Sequence, residues 1–342
     1  MHRYDISRDD LISIRSLVES ITNKYSTTED PGFLSVVAAY AHELPRDLRE
    51  FLVSFRLAEE AAVCVIGGYP VDGHQIGPTP SHWARPVEHS PTLDMDIFLV
   101  LCGCILGEPI AWSTQQDGHL VHDVLPIREH AGEQLDSGSR RLLSWRTAEA
   151  FHPLRPDYVG LACLRNPGDV ETTYASLDGI ALPSDVMDIL RLPIFPIRPD
   201  LGHLPYHRWP AGSQQRSAEL TERCYEWMTE IDAHPPRVAV LSGADDRPYL
   251  RIDPYYMDLT RVGEAAKNAF RQLSRGIDAS IRGYALQAGE ILILDNYRAV
   301  HGRRAFQARF DGTDRWLRRL SVTRDLRKSR ARRVSADSRV IY

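Results

Sequence analysis

The chain has 342 residues, 43% of them hydrophobic and 25% charged, which is enough apolar material for a sizeable core. A formal charge of -5 gives no reason to expect nucleic acid or an anionic membrane as partner, and points to a protein that handles small molecules. Cys64, Cys102, Cys104, Cys163 and Cys224 are too scattered for a disulfide framework, and Cys102-Gly-Cys104 lacks the second pair that a zinc site requires.

No charged segment followed by an apolar stretch opens the chain, and the longest apolar run, Ile97 to Leu106, is too short to span a bilayer; the expected location is the cytoplasm. The first sixty residues, about 1–60, predict a helical preface: ISRDDLISIRSLVESITNKY has apolar positions at three-and-four spacing, and LPRDLREFLVSFRLAEE carries a proline suited to a first helical turn. Short β-prone runs follow, among them AAVCVIGGY, DYVGLACLRN, RVAVLSG, EILILDNY and RWLRRLSVTRD. Helical inserts are predicted around Ser217 to Ile231 and Leu259 to Ile277. One domain over 1–342 is expected, mainly β with flanking α-helices. The basic tail, about 325–342, is short and without interleaved aromatics, so it predicts a solvated terminus rather than a nucleic-acid site.

Strand periodicity in RWLRRLS puts Arg315, Leu317, Arg319 and Ser321 on one face and Trp316, Arg318 and Leu320 on the other. Two arginines that point into a β core must find anions, either a ligand's or those of structural acids.

The succession VCVIGGYPVD, GPTP, LGEPIAWSTQQDGHLVHDVLP, SWRTAEAFHPLRPDYVGLACLRN, LDNYRAVHGRRAF and DGTDRWLRRLSVTRD resembles the clavaminate-synthase-like group of iron and 2-oxoglutarate dependent oxygenases. Within it, the likeness is greatest to hydroxylases of free arginine and asparagine, and it spans nearly the whole chain. The resemblance implies a double-stranded β-helix, a jelly-roll core. It also implies an iron ion held by His-x-Asp or His-x-Glu on one strand and by a later histidine, since side chains two apart on a strand share a face. Here the first two positions are Arg146 and Ala148, and only His301 matches. Loss of the carboxylate alone would resemble the family's halogenases, but an arginine puts fixed positive charge where the ion should sit. Glu149 is one residue out of phase, and His152 belongs to a His-Pro segment that the family uses structurally.

By the same resemblance Arg315, fourteen residues beyond His301, grips 2-oxoglutarate and Arg319 grips the substrate's carboxylate. Gln116, Asp253 and Tyr255 match substrate-side positions, with Tyr255 in place of a second acid in the segment that holds guanidinium in the arginine hydroxylases. Asp123, His203 and His207 are further pocket candidates. The expectation is an enzyme of specialised biosynthesis acting on a small carboxylated or amino-acid substrate by metal-independent, redox-neutral chemistry, with no cofactor. Arg146 would act as electrostatic stabiliser and His301 as proton-transfer group. Two alternatives stand beside it: an iron and 2-oxoglutarate dependent oxygenase with a rearranged metal site, and a non-catalytic binder of a small acid or of a partner protein.

Overall fold

The computed structural model describes residues 1–84, 90–208 and 218–342. Helical periodicity at the start yields Arg8–Thr22, capped by the Ser7 hydroxyl accepting from Asp10 N, and Arg46–Ala58. Pro45 is the N-cap of the second, just ahead of its first turn. Between them lies a helix the periodicity does not separate, Pro31–Ala41, whose cap is Asp30. All three contact a fourth, Leu93–Leu106, which takes up the long apolar run and buries nearly every side chain. A helix apolar all round belongs in a core, and among the described residues no helix is long and apolar enough to cross a membrane.

That fourth helix lies on a sheet because two glycines let it approach. A Cβ on Gly103 would sit 2.6 Å from Leu320 Cδ2, and one on Gly160 would sit 3.0 Å from Leu99 Cδ1. The sheet runs, in spatial order, His2–Asp5, Val63–Gly67, Ile291–Asp295, Tyr158–Arg165, Trp316–Thr323, Glu108–Trp112 and Val340–Ile341, with Val121–Val124 also paired to Trp316–Thr323. A smaller antiparallel sheet holds Arg282–Tyr284, Thr172–Ser176, Ala299–Arg303 and Leu143–Arg146. Val65, Leu161, Leu292 and Leu317 of the first sheet and Tyr174 and Ala299 of the second share one apolar cluster. Neighbouring strands distant in sequence and two facing sheets make the expected jelly-roll core.

The helix Glu264–Ser280 covers the outside of the smaller sheet, setting Phe270, Leu273 and Ile277 against Ala175 and Val300. The helical insert expected from Ser217 is observed as Ala218–Ala233; Ser217 itself lies outside the described residues. The tail departs from the expected solvated terminus. Val340 and Ile341 are buried as a parallel strand beside Ala111 and Trp112, and Arg333 Nη1 donates to the carbonyls of Ser335, Ala336 and Ser338 at 2.6–3.1 Å. Arg330 also donates to a carbonyl of the tail, whereas Arg339 ties it to Glu108 and Arg332 lies over the Trp227 ring.

Candidate active site

The smaller sheet brings Arg146 and His301 directly opposite each other on adjacent strands. Beyond Arg146 the strand stops. Thr147 exchanges hydrogen bonds with the backbone of Ile252, while Asn296 clamps Ala148 by accepting from its N–H (2.6 Å) and donating to its carbonyl (3.0 Å). The next residue, Glu149, adopts a φ of 51°. This left-handed step turns its carboxylate inward, against the expectation that a residue out of phase faces away.

Four carboxylates and two guanidiniums then meet in one network. Arg146 lies 3.1 Å from Asp136, 3.3 Å from Asp200 and 4.0 Å from Asp253. Arg319 spans Asp136 at 3.0 Å and Glu149 at 3.2 Å. Glu149 also meets His203 Nε2 at 2.6 Å and accepts from Gln115 Nε2 at 3.1 Å. Burial raises a carboxyl, and a cation must outweigh it for the charge to persist. For Glu149, burial is overcome by His203 and Arg319, which hold it well below the usual carboxylate range. Arg319 and Arg146 likewise overcome burial and lower Asp136. For Asp253, burial, together with neighbouring Asp200, outweighs the more distant Arg146 and the N–H groups of Tyr255 and Tyr256, and its carboxyl is pushed up to about 7.

Two adjoining hollows open on this network and share Asp136 and Arg319: one is lined by Gln115, Arg146 and Asp200, the other by His301, Arg303, Arg315 and Thr172. Arg315 donates to Thr172 Oγ1 at 3.1 Å, and among the described residues the buried Nε atoms of Arg303 and Arg315 have no hydrogen-bond partner. Burial lowers Arg315 to about 10 and Arg303, beside it, to about 9. Such a pair is stabilised by an anion placed between them. His301 lies there too, its Nδ1 buried without a partner among the described residues, and burial, with Arg146 and Arg319 nearby, pushes its pKa down to about 3. The imidazole is neutral at ordinary pH and a weak base.

The structure thus gathers Arg146, Asp253, His301, Arg315 and Arg319 and separates others from them. Gln116 is spent on Asp123: its Nε2 donates to that carbonyl and its Oε1 accepts from that N–H, both at 2.9 Å. Gln115 takes the inward place, with a buried Oε1 that no donor among the described residues reaches. Tyr255 is 51% exposed and turns outward, because the Asp253 carboxylate caps the turn by accepting from the N–H groups of Tyr255 and Tyr256. The Asp123 carboxylate serves Arg318 and Trp316 on the far face of their strand. His152 is structural, accepting from Leu154 N at 3.0 Å and packing edge-on to Trp112. Asp136, Asp200, Thr172 and Arg303 went unread. The only local signal at Asp200 is an Asx-turn pattern, since its carboxylate also accepts from Gly202 N.

An iron ion of the kind the family resemblance implies needs two imidazoles and a carboxylate on one face. At those three positions stand an ion-paired guanidinium, a buried methyl group and one imidazole, and they do not fit an iron ion. Among the described residues no group of three His, Cys, Asp or Glu donors is centred on His301.

No family model matches the chain. Individual relatives do. It is 41% identical to an L-ornithine/L-arginine 3-hydroxylase of Catenulispora acidiphila, with all of both chains covered. It is 42% identical to an enduracididine beta-hydroxylase of Streptomyces hygroscopicus, covering 98% of each. The solved non-heme iron oxygenase OrfP, in complex with Fe, succinate and (3S)-hydroxy-L-Arg, superposes with a TM-score of 0.93 at 38% identity over the whole of both chains. Another OrfP structure holds Fe and alpha-ketoglutaric acid, at a TM-score of 0.88. These relatives overturn the expectation of a metal-independent, redox-neutral reaction without cofactor. Hydroxylating a C–H bond removes two electrons from carbon, and no amino-acid side chain supplies an oxidant for that. The missing ligand pair bears on where a metal is held, and does not carry a change of reaction class.

Proposed function

Because this chain belongs to the clavaminate-synthase-like family of Fe(II) and 2-oxoglutarate dependent oxygenases, we propose that it hydroxylates a free amino acid. The balanced reaction takes R–H, O2 and 2-oxoglutarate to R–OH, succinate and CO2. Iron, when bound, supplies the oxidising power that the side chains lack. The observation that carries the reading is the hollow of Arg315, Arg303 and Thr172, whose two buried guanidiniums form no direct ion pair among the described residues and leave their Nε atoms without a partner. A dicarboxylate such as 2-oxoglutarate supplies the charge they need, and Thr172 fixes one arginine's orientation toward it.

The neighbouring network sets the substrate class. Asp117, Asp123, Asp136 and Asp200 line the pocket beside Arg146 and Arg319, and this acidic lining suits an α-ammonium group and a cationic side chain. Gln115 Oε1, buried and without a donor, is placed to accept from the ammonium. Arg319 meets the substrate's carboxylate by exchanging it for Asp136, the more exposed of its two acidic partners. In this reading Asp200 faces the substrate, Arg146 tempers its charge with Asp253 packed behind, and neutral His301 borders the cosubstrate. The substrate belongs to specialised biosynthesis, as enduracididine hydroxylation suggests for a relative.

The test is aerobic turnover after anaerobic loading with Fe(II), supplying 2-oxoglutarate and a panel of free arginine, ornithine, lysine, enduracididine and asparagine. At least one amino acid should stimulate succinate formation and gain one oxygen by mass. No stimulation by any of them, with 2-oxoglutarate unconsumed, would overturn the reading.

A further inference from the structure

The geometry points to a divalent-metal site formed by His130, Glu133 and His207, at the rim of the pocket that Arg146 and Arg319 line. It rests on the proposed function only for the choice of iron as one probe; the donor set itself is a matter of three side chains. The nitrogen and oxygen donors of these residues all lie within 4.8 Å of one another. Ligand bonds of about 2.0–2.2 Å would draw them together by small side-chain rotations.

Each donor is held in place by something other than a metal. His130 and Glu133 stand one turn apart in a loop folded on itself, with Glu133 N donating to His130 O at 2.9 Å and Ile127 N to Ser137 O at 2.9 Å. The Ser137 hydroxyl lies 2.8 Å from His130 Nδ1 and leaves Nε2 free, the arrangement by which a second hydrogen bond orients a metal-binding imidazole. His207 closes the short turn Pro205–His207 and sets its Nε2 3.6 Å from Glu133 Oε2. That carboxylate oxygen is buried and receives no hydrogen bond from the described residues. The two rings stand 5.5 Å apart at 79°, so both can present nitrogen to one point. Two imidazoles and one carboxylate suit Fe(II), Co(II) or Zn(II), and leave coordination positions open. They are the donor types that the His301 position lacks.

Titration of the whole metal-free protein with Co(II), followed by visible d–d absorption, tests this, with equilibrium dialysis against anaerobic Fe(II) alongside. One equivalent should bind in the wild type. Affinity should fall at least tenfold in His130→Ala, His207→Ala and Glu133→Gln, with metal-free melting curves confirming that each variant is folded at the titration temperature; His130→Gln and His207→Gln, closer in size to the partly buried imidazoles, should lose the metal likewise. His301→Ala should bind unchanged. No stoichiometric binding, binding indifferent to the three substitutions, or binding lost in His301→Ala would each overturn the assignment. The result is independent of succinate formation, so the site and the proposed reaction fail separately.

Discussion

At Asp253 the cost of the site shows as a pH dependence. Its carboxyl sits at about 7 against an ordinary 3.8, because burial penalises its charge more than Arg146 repays at 4.0 Å. A group with a raised native pKa contributes stability that is complete below its unfolded value and is lost as pH rises through the native one. Asp253 therefore destabilises progressively between about pH 4 and pH 7. Asp253→Asn keeps the oxygen that caps Tyr255 and Tyr256 and removes the titration. Its melting temperature relative to wild type should rise between pH 5 and pH 8, by an amount on the order of a few kcal/mol in stability. A difference that stays flat across that range would show that Asp253 is ionised throughout.

Among the elements, the strand Trp316–Thr323 and the helix Leu93–Leu106 depend on each other. Alternation sends Arg319 to the site and Arg318 to the opposite face, where its Nε donates to the buried Asp96 of the helix at 2.8 Å. The strand holds its position in the site through that pair and through the close approach at Gly103. Gly103→Ala should push the helix off Leu320 and cost roughly 1–3 kcal/mol of unfolding free energy, since a close-packed core has no slack for a methyl group. Chemical denaturation measures it. A stability within 0.5 kcal/mol of wild type, the range of ordinary surface substitutions, would mean that the packing relaxes freely.

Over the whole molecule, the C-terminus protects the edge of the larger sheet. Val340 and Ile341 cover Glu108–Trp112, and Ile341 packs with Ile110 and Trp112. Removing 339–342 should lower the melting temperature and raise the tendency to aggregate, because an unpaired apolar edge recruits other chains. Melting curves and light scattering at matched concentration check both. Unchanged values would make the last strand dispensable.

The strands Tyr158–Arg165, Ile291–Asp295 and Trp316–Thr323 were legible as short β-prone runs, and the order of the motifs carried the jelly-roll core. The facing of Arg315 and Arg319 followed from alternation alone. Residue identity also determined that Arg146 and Ala148 stand where ligands are expected, which is a covalent fact of the chain. It could not determine what surrounds them. Asp136 comes from a loop and Asp200 from a turn, brought to Arg146 from 10 and 54 residues away by contacts with no local period. Glu149 faces inward because of one positive φ that the alternation rule does not contain. Tyr255 faces outward because Asp253 is used as a cap. Local sequence fixes period and propensity, whereas charge pairing in a buried site depends on distances between segments remote in the chain, and those exist only once the sheets have closed.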